Sequence, residues 1–118
     1  MTTNETVKIV QGEDRVLKLR LRSPTCEDET EPFDLTGNTE IEVRFKKQDG
    51  TTLSKLKTTG GVVVTNLILG KFDVVLSDAE TALLKIGSRQ SFTVVVDIGT
   101  TRRVINFDSV LTVVAPSV

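Results

Sequence analysis

The sequence predicts an all-β domain, an antiparallel β-sandwich of about seven or eight strands with one short helix near 77–85. Three observations predict it. Apolar and polar residues alternate with a period of two in Leu17–Leu21, Ile41–Phe45 and Phe92–Ile98. Turn chemistry recurs about every 8 to 12 residues along the chain. Only one stretch carries helix signals, which excludes a fold built on strand–helix–strand crossovers.

The elements follow in order. Met1 to Glu5 read as a polar start, and Val7 to Val10 as a short strand stopped by Gly12-Glu13-Asp14, a turn sequence. In the second strand Leu17, Leu19 and Leu21 alternate with Lys18, Arg20 and Arg22, giving one buried and one solvated face. A helix would scatter those leucines around its circumference. Ser23 to Asn38 holds two prolines, a run of acidic residues and no basic one, so it reads as a loop with Phe33 and Leu35 tacked onto the core. Ile41, Val43 and Phe45 form the next half-buried strand, and Asp49-Gly50 turns it into a hairpin because glycine readily takes positive φ. The returning strand near Thr52 to Thr58 is irregular: Leu53 and Leu56 have opposite parity, the mark of a bulge or an edge.

Gly60-Gly61 introduces Val62 to Thr65, and Gly70 introduces Lys71 to Leu76. Ser77-Asp78-Ala79-Glu80 has the spacing of a capping box, in which two side chains satisfy free backbone N–H groups. It predicts one or two helical turns over Thr81 to Lys85, ended by Gly87. Arg89 to Ile98 and Arg102 to Val114 are long strands joined at Gly99-Thr100-Thr101, and Pro116 closes the last. No repeat or linker divides the chain, so residues 1–118 are expected to form one domain.

Composition limits the chemistry. At 118 residues, 38% apolar and 26% charged, the chain is long enough to bury a core without staples. That core rests on Val, Leu and Ile, because there are five Phe and neither Trp nor Tyr. A net charge of −1 supplies no global field for nucleic acid or an anionic membrane. No apolar run reaches membrane-spanning length, and the N-terminus lacks a signal-peptide core, so synthesis is expected in the cytoplasm. Cys26 is the one cysteine, which rules out an intrachain disulfide framework and leaves no base to activate a thiol.

The absence of histidine removes Ser-His-Asp and Cys-His catalysis and zinc sites of the Cys/His kind. Gly60-Gly61 is not followed by Lys-Ser/Thr, so it is no phosphate cradle. A carboxylate pair, Asp97 with Asp108, is the remaining enzymatic option; both read more simply as solvated strand residues. The acidic stretch Glu27, Asp28, Glu29, Glu31 and Asp34 lacks the spacing of a calcium loop, and a solvated loop or a dock for a basic partner fits it better. Lys18, Arg20 and Arg22 share a strand face, with Arg44, Lys46, Arg102 and Arg103 expected nearby. Without interleaved aromatics they read as a solvated face paired with carboxylates such as Glu40 and Glu42. The chain is therefore expected to be no enzyme and to need no cofactor or metal.

One positive signal remains. The later strands carry apolar residues of both parities: Val63 beside Val62 and Val64, Val75 beside Val74, Val95 between Val94 and Val96, and Val110 near Leu111 and Val113. A solitary sandwich buries one face of each sheet. The excess predicts a protein interface involving Val63, Val75, Val95 and Val110, with Arg102 and Arg103 beside them, and a homo-oligomer or partner that covers strand edges.

The order of motifs resembles a known family. A short strand runs into Gly12-Glu13-Asp14, an alternating strand follows, then Asp34-Leu35-Thr36-Gly37, then an alternating strand with the Asp49-Gly50 hairpin. A Gly-led strand and Leu76-Ser77-Asp78-Ala79-Glu80-Thr81, with Leu84 and Gly87, precede the penultimate long strand. This arrangement resembles the small immunoglobulin-like domains of tailed-bacteriophage virion proteins, notably the N-terminal domain of baseplate upper proteins. The resemblance implies an immunoglobulin-like sandwich without catalytic residues. It implies a virion structural protein, placed in the tail or baseplate, neck or capsid decoration, whose partners are other virion proteins. A small ligand- or carbohydrate-binding sandwich module is the alternative, opposed by the lack of Trp and Tyr on which sugar rings stack.

Overall fold

The computed structural model describes residues 7–21 and 34–116, apart from the side chains of residues 108 and 109. The acidic segment with Cys26, Phe33 and Arg22, like the polar start, lies outside the described residues. Eight strands and one helical turn follow in chain order: β1 (Val7–Val10), β2 (Arg15–Arg20), β3 (Asn38–Lys46), β4 (Thr52–Leu56), β5 (Val62–Asn66), β6 (Lys71–Leu76), α1 (Asp78–Thr81), β7 (Gly87–Ile98) and β8 (Thr101–Val114). They build a five-stranded sheet in the order β1-β8-β7-β3-β4 and a three-stranded sheet in the order β2-β6-β5. The two sheets pack face to face as an all-β sandwich.

Alternation places the core as the sequence predicts. Ile41, Val43, Phe45, Phe92, Val94 and Val96 are buried on the larger sheet, and Leu17 and Leu19 of β2 with Phe72, Val74 and Leu76 of β6 meet them from the smaller one. Each such side chain contributes about 1.5–3 kcal/mol on leaving water. Three of the five phenylalanines form a row across the inner face of the larger sheet. The Phe92 ring stacks on Phe107 at 4.8 Å and 7°, and lies 5.3 Å from Phe45 at 34°. Leu35 is fully buried at the entrance to β3, as expected of a residue tacked onto the core.

Two expectations are corrected. First, the sandwich is not wholly antiparallel: β1 runs parallel to β8, Val7 opposite Leu111 and Val10 opposite Val114. Gln11 to Asp14 then carry the chain across the end of the sandwich, so β2 starts in the other sheet, antiparallel to β6. Periodicity shows which way a side chain points but not which strand lies beside it.

Second, the helix is the single turn Asp78–Thr81, not Thr81 to Lys85. The capping box is present: the Glu80 N–H donates to Ser77 Oγ at 3.2 Å, and the Ser77 N–H donates to Glu80 Oε1 at 2.9 Å. The turn goes no further because Leu84 is drawn into the core and bridges Lys47. So short a helix is set by tertiary packing rather than propensity. Gly87 opens β7 instead of ending the helix.

Of the two readings of the returning strand, bulge or edge, the edge holds: β4 is the outer strand of the larger sheet and keeps an unbroken register with β3 from Glu42–Leu56 to Lys46–Thr52. Leu53 faces the core and Leu56 faces outward. Register shifts occur in β3–β7 between Asn38 and Glu40, in β5–β6 between Val64 and Asn66, and in β7–β8 between Gly87 and Phe92, where Arg89 takes φ 55.

The crossing between sheets is anchored by α1. Thr81, the buried polar residue among the described ones, accepts a hydrogen bond from the Gly12 N–H at 3.0 Å. Its hydroxyl donates to the Glu13 carbonyl at 2.8 Å, with the Asp78 carbonyl as a second acceptor at 3.1 Å. The Asp78 N–H donates to Asp14 Oδ1, and Gln11 Nε2 donates to the Leu84 carbonyl, both at 2.7 Å. Together these bonds pin the β1–β2 turn to the α1 corner.

Two substitutions test this description by chemical denaturation. Thr81→Val keeps the shape but leaves the Gly12 N–H and Glu13 carbonyl without their partner, so a loss of about 1–3 kcal/mol is expected. An unchanged midpoint would show that the crossing does not depend on that hydroxyl. Phe92→Ala removes the middle ring of the row and is expected to cost about 3–5 kcal/mol, a large share of a domain's typical ~5–15 kcal/mol. A loss below about 1 kcal/mol would mean that the row is not central to the core.

Candidate interaction surface

With the interior filled by one parity, the outward parity decides what the molecule shows its surroundings. On the larger sheet, register aligns Leu56 of β4, Glu42 of β3, Val95 of β7 and Val104 of β8 in one transverse row. Val95 is only 2% exposed although it faces outward, and it is not part of the core cluster. A ring of charges surrounds it. Arg44 donates to Glu42 Oε1 at 2.9 Å, and Arg102 grips Asp97 with Nε at 2.8 Å and Nη2 at 3.2 Å. Hydrogen bonding from Arg44 is the main influence holding the Glu42 carboxyl below its usual range, and Arg102 adds to it. Arg102 likewise holds Asp97 down, outweighing the opposing effect of burial. At the outer end of the row stands Val104, 59% exposed.

The smaller sheet carries a second apolar group on its outer face. Val75 of β6 is opposite Val16 of β2, both more than a third exposed, and Val63 of β5 stands diagonal to Val75 opposite Asp73. Lys18 flanks the group 3.8 Å from Asp73. Beside Val16 and Val75 runs a groove of about 460 Å³, lined also by Asp14, Gly61, Lys55 and Glu80.

Lys55 and Glu80 close the sandwich at this side. Lys55 shares the inward parity of β4, opposite Val43, and its ammonium lies 2.6 Å from Glu80 Oε2. An inward lysine on an edge strand discourages pairing with another chain, because adding a strand would bury the charge. Gly61 fits closely here: a Cβ would sit 2.7 Å from Lys55 Cε and 3.3 Å from the Leu56 nitrogen, so a larger residue would have to displace the lysine side chain. Its own N–H donates to the Leu56 carbonyl at 2.9 Å, tying β5 to β4 across the two sheets. Burial is the largest single influence on Glu80 and pushes its pKa up. Lys55 and the Ser77 capping bonds outweigh it and hold the carboxyl below the ordinary value.

The interface residues read from the sequence thus occupy three different environments. Val63 and Val75 lie together and exposed on the smaller sheet, at 49% and 40%. Val95 is covered within the chain by the outer-face row, and Val110 belongs to the core cluster, so neither offers surface in this structure. Val110 is turned in where β8 carries extra residues relative to β7, between the pairs Phe92–Phe107 and Gln90–Leu111. Arg102 is committed to Asp97, and Arg103 is exposed opposite Val96. The described basic residues do not form one patch: Lys18 and Arg20 face out from the smaller sheet, whereas Arg44, Lys46 and Arg102 face out from the larger one. Pairing with strand carboxylates holds for Arg44 with Glu42, Arg102 with Asp97 and Lys18 with Asp73, whereas Glu40 is bonded to Thr58.

Asp97 and position 108 are not brought together. Asp97 is opposite Arg102, and residue 108 lies six residues further along β8, about 20 Å at strand rise. Flanking carboxylates of glycosidases are within about 10 Å. Asp34, the acidic-stretch residue that is described, accepts from the Thr36 N–H at 2.9 Å in a local turn. Among the described residues no cluster of three acidic or thiol side chains could hold a metal, and no helix is long and apolar enough to cross a membrane.

Sequence reasoning missed Val104, Val16 and the Lys55–Glu80 pair. Val104 was within reach: counting outward from Gly99-Thr100 sets Ile98 opposite Thr101 and therefore Val95 opposite Val104. The other two depend on which strands become neighbours, which no local pattern reveals. No protein-family model matches the chain, and no curated protein matches it either.

Glu80 gives the surface a pH signature. Because its pKa is lowered in the folded chain, its contribution to stability is present above the unfolded value of about 4.3 and is lost as pH falls through the folded value. Urea midpoints measured from neutral pH down to pH ~3 are expected to fall less steeply for Glu80→Gln than for the parent. Parallel curves for the two proteins would dissociate Glu80 from the acid response.

Proposed function

We propose that this chain is a non-catalytic assembly domain, a structural component of a tailed-bacteriophage particle that binds other particle proteins through its sheet faces and edges. The observation that carries the reading is apolar side chains facing outward on both sheets of a sandwich whose core is already filled: Val104 on one, Val16, Val75 and Val63 on the other. Such side chains gain most when a neighbour covers them. The charged groups beside them are committed to one another, Asp97 to Arg102 and Glu42 to Arg44, as structural ion pairs. Neither carboxylate is poised as an acid, since both are held in the ionised form.

Topology supports the same reading. β8, β7 and β3 follow the G-F-C order of immunoglobulin-type sandwiches, with β4 added as in variable domains, and β2-β6-β5 follow the order B-E-D. β1 is the first strand switched onto the larger sheet. This layout accords with the virion-domain resemblance carried by Gly12-Glu13-Asp14, Asp49-Gly50 and the Ser77–Glu80 box. A sugar-binding module draws no support from the groove beside Val75, whose lining includes no aromatic side chain. The protein would be made in the host cytoplasm and act in the virion, at a tail, baseplate, neck or capsid position.

Particles purified by density gradient from a lysate of the phage or prophage that encodes the chain test this directly. Quantitative mass spectrometry is expected to find the chain in a fixed ratio to the major capsid protein, with antibody labelling confined to one place on the particle. Recovery only in the soluble, particle-free fraction would overturn the proposal.

A further inference from the structure

We infer that the Thr101–Phe107 stretch of β8 is a homodimerisation edge, which pairs antiparallel with the same stretch of a second copy around a two-fold axis at Val104. The inference rests on the assembly reading above and names one of its contacts.

β8 is 14 residues long, but β1 pairs only with Leu111 to Val114. Among the described residues, Thr101 to Phe107 have a strand neighbour on the β7 side alone. The stretch is regular: every residue from Thr101 to Phe107 has its partner in β7, from Ile98–Thr101 to Phe92–Phe107, without a register shift. It contains no proline or glycine. The opposite edge of the same sheet is guarded, with Lys55 of β4 turned inward and held by Glu80. An unguarded, regular edge offers its free N–H and C=O groups to another strand.

Charge and symmetry favour a second copy as the occupant. Arg102 is neutralised by Asp97 within its own chain, so Arg103 is the one uncompensated charge of the stretch. A two-fold axis at Val104 sets Arg103 opposite Ile105 of the other copy and Arg102 opposite Asn106, so no cation faces a cation. An isologous contact of this kind is self-complementary and closes at two copies. On the outer face Val104 then meets its counterpart, flanked on both sides by Val95, and the most exposed valine of the described residues becomes the centre of the contact. A partner strand rich in acidic residues would find only Arg103 to answer it.

Sedimentation velocity, from low micromolar to near-millimolar protein, reads the outcome. The parent chain is expected to show a monomer–dimer equilibrium. Val104→Lys and Val104→Glu each place like charges opposite each other at the axis and are expected to weaken the dimer about tenfold or more. Both should keep the parent's circular dichroism, since Val104 is exposed. Mixing the two variants is expected to restore a dimer containing one of each. A parent that stays monomeric, or a dimer indifferent to both substitutions, would overturn the inference. Particle recovery separates the two readings: a monomer still built into virions sinks only the dimer, and a dimer absent from virions sinks only the virion role.

Discussion

The structure depends on one crossing. Between Val10 and Arg15 the chain must leave the five-stranded sheet, pass over the end of the sandwich and enter the three-stranded one. At the centre of the crossing is a buried hydroxyl, Thr81, which accepts from the Gly12 N–H and donates to the Glu13 carbonyl, with the Asp78–Asp14 and Gln11–Leu84 bonds beside it. That anchor fixes where β1 ends and therefore which part of β8 it covers. Pairing runs only over Leu111 to Val114, and the rest of β8 is left with a neighbour on one side among the described residues. The same α1 corner supplies Glu80, which holds Lys55 inward and seals the opposite edge. One short turn thus governs both edges of the larger sheet.

Burial accounts for the remainder of the fold. The two inner faces are filled by aliphatic side chains and a phenylalanine row, and the parity that fills them fixes the outward parity as well. On the larger sheet's outer face the Glu42–Arg44 and Asp97–Arg102 pairs lie about Val95. Among the described residues several apolar side chains stay exposed on the outer faces, Val104 on the larger sheet and Val16, Val63 and Val75 on the smaller. The account of function grows from them. It does not come from any catalytic arrangement.

Much of this was legible in the sequence. Leu17, Leu19, Ile41, Val43, Phe45, Phe92, Val94 and Val96 face inward as alternation requires, and Ser77 to Glu80 form the box their spacing predicts. Gly50 takes the positive φ that its hairpin demands. What escaped were the pairings between strands that no tight turn joins. Four residues of β1 say nothing about whether their partner is β2 or β8, because both pairings bury Ile9. The reach of α1 was misjudged because Leu84, apolar and helix-compatible, is claimed by the core. Apolar residues of both parities were a real signal with mixed causes: exposure at Val63 and Val75, enclosure at Val95, and a bulge at Val110.

The parallel pairing of β1 with only the last part of β8 is the central claim, and residue-resolved amide hydrogen exchange tests it most directly. In dilute solution the account predicts slow exchange at the alternate amides of β1 that face β8 and through Leu111 to Val114, with alternate amides of Thr101 to Phe107 exchanging rapidly where no strand covers them. Uniformly slow exchange along all of β8 in a monomer, or fast exchange throughout β1, would contradict it.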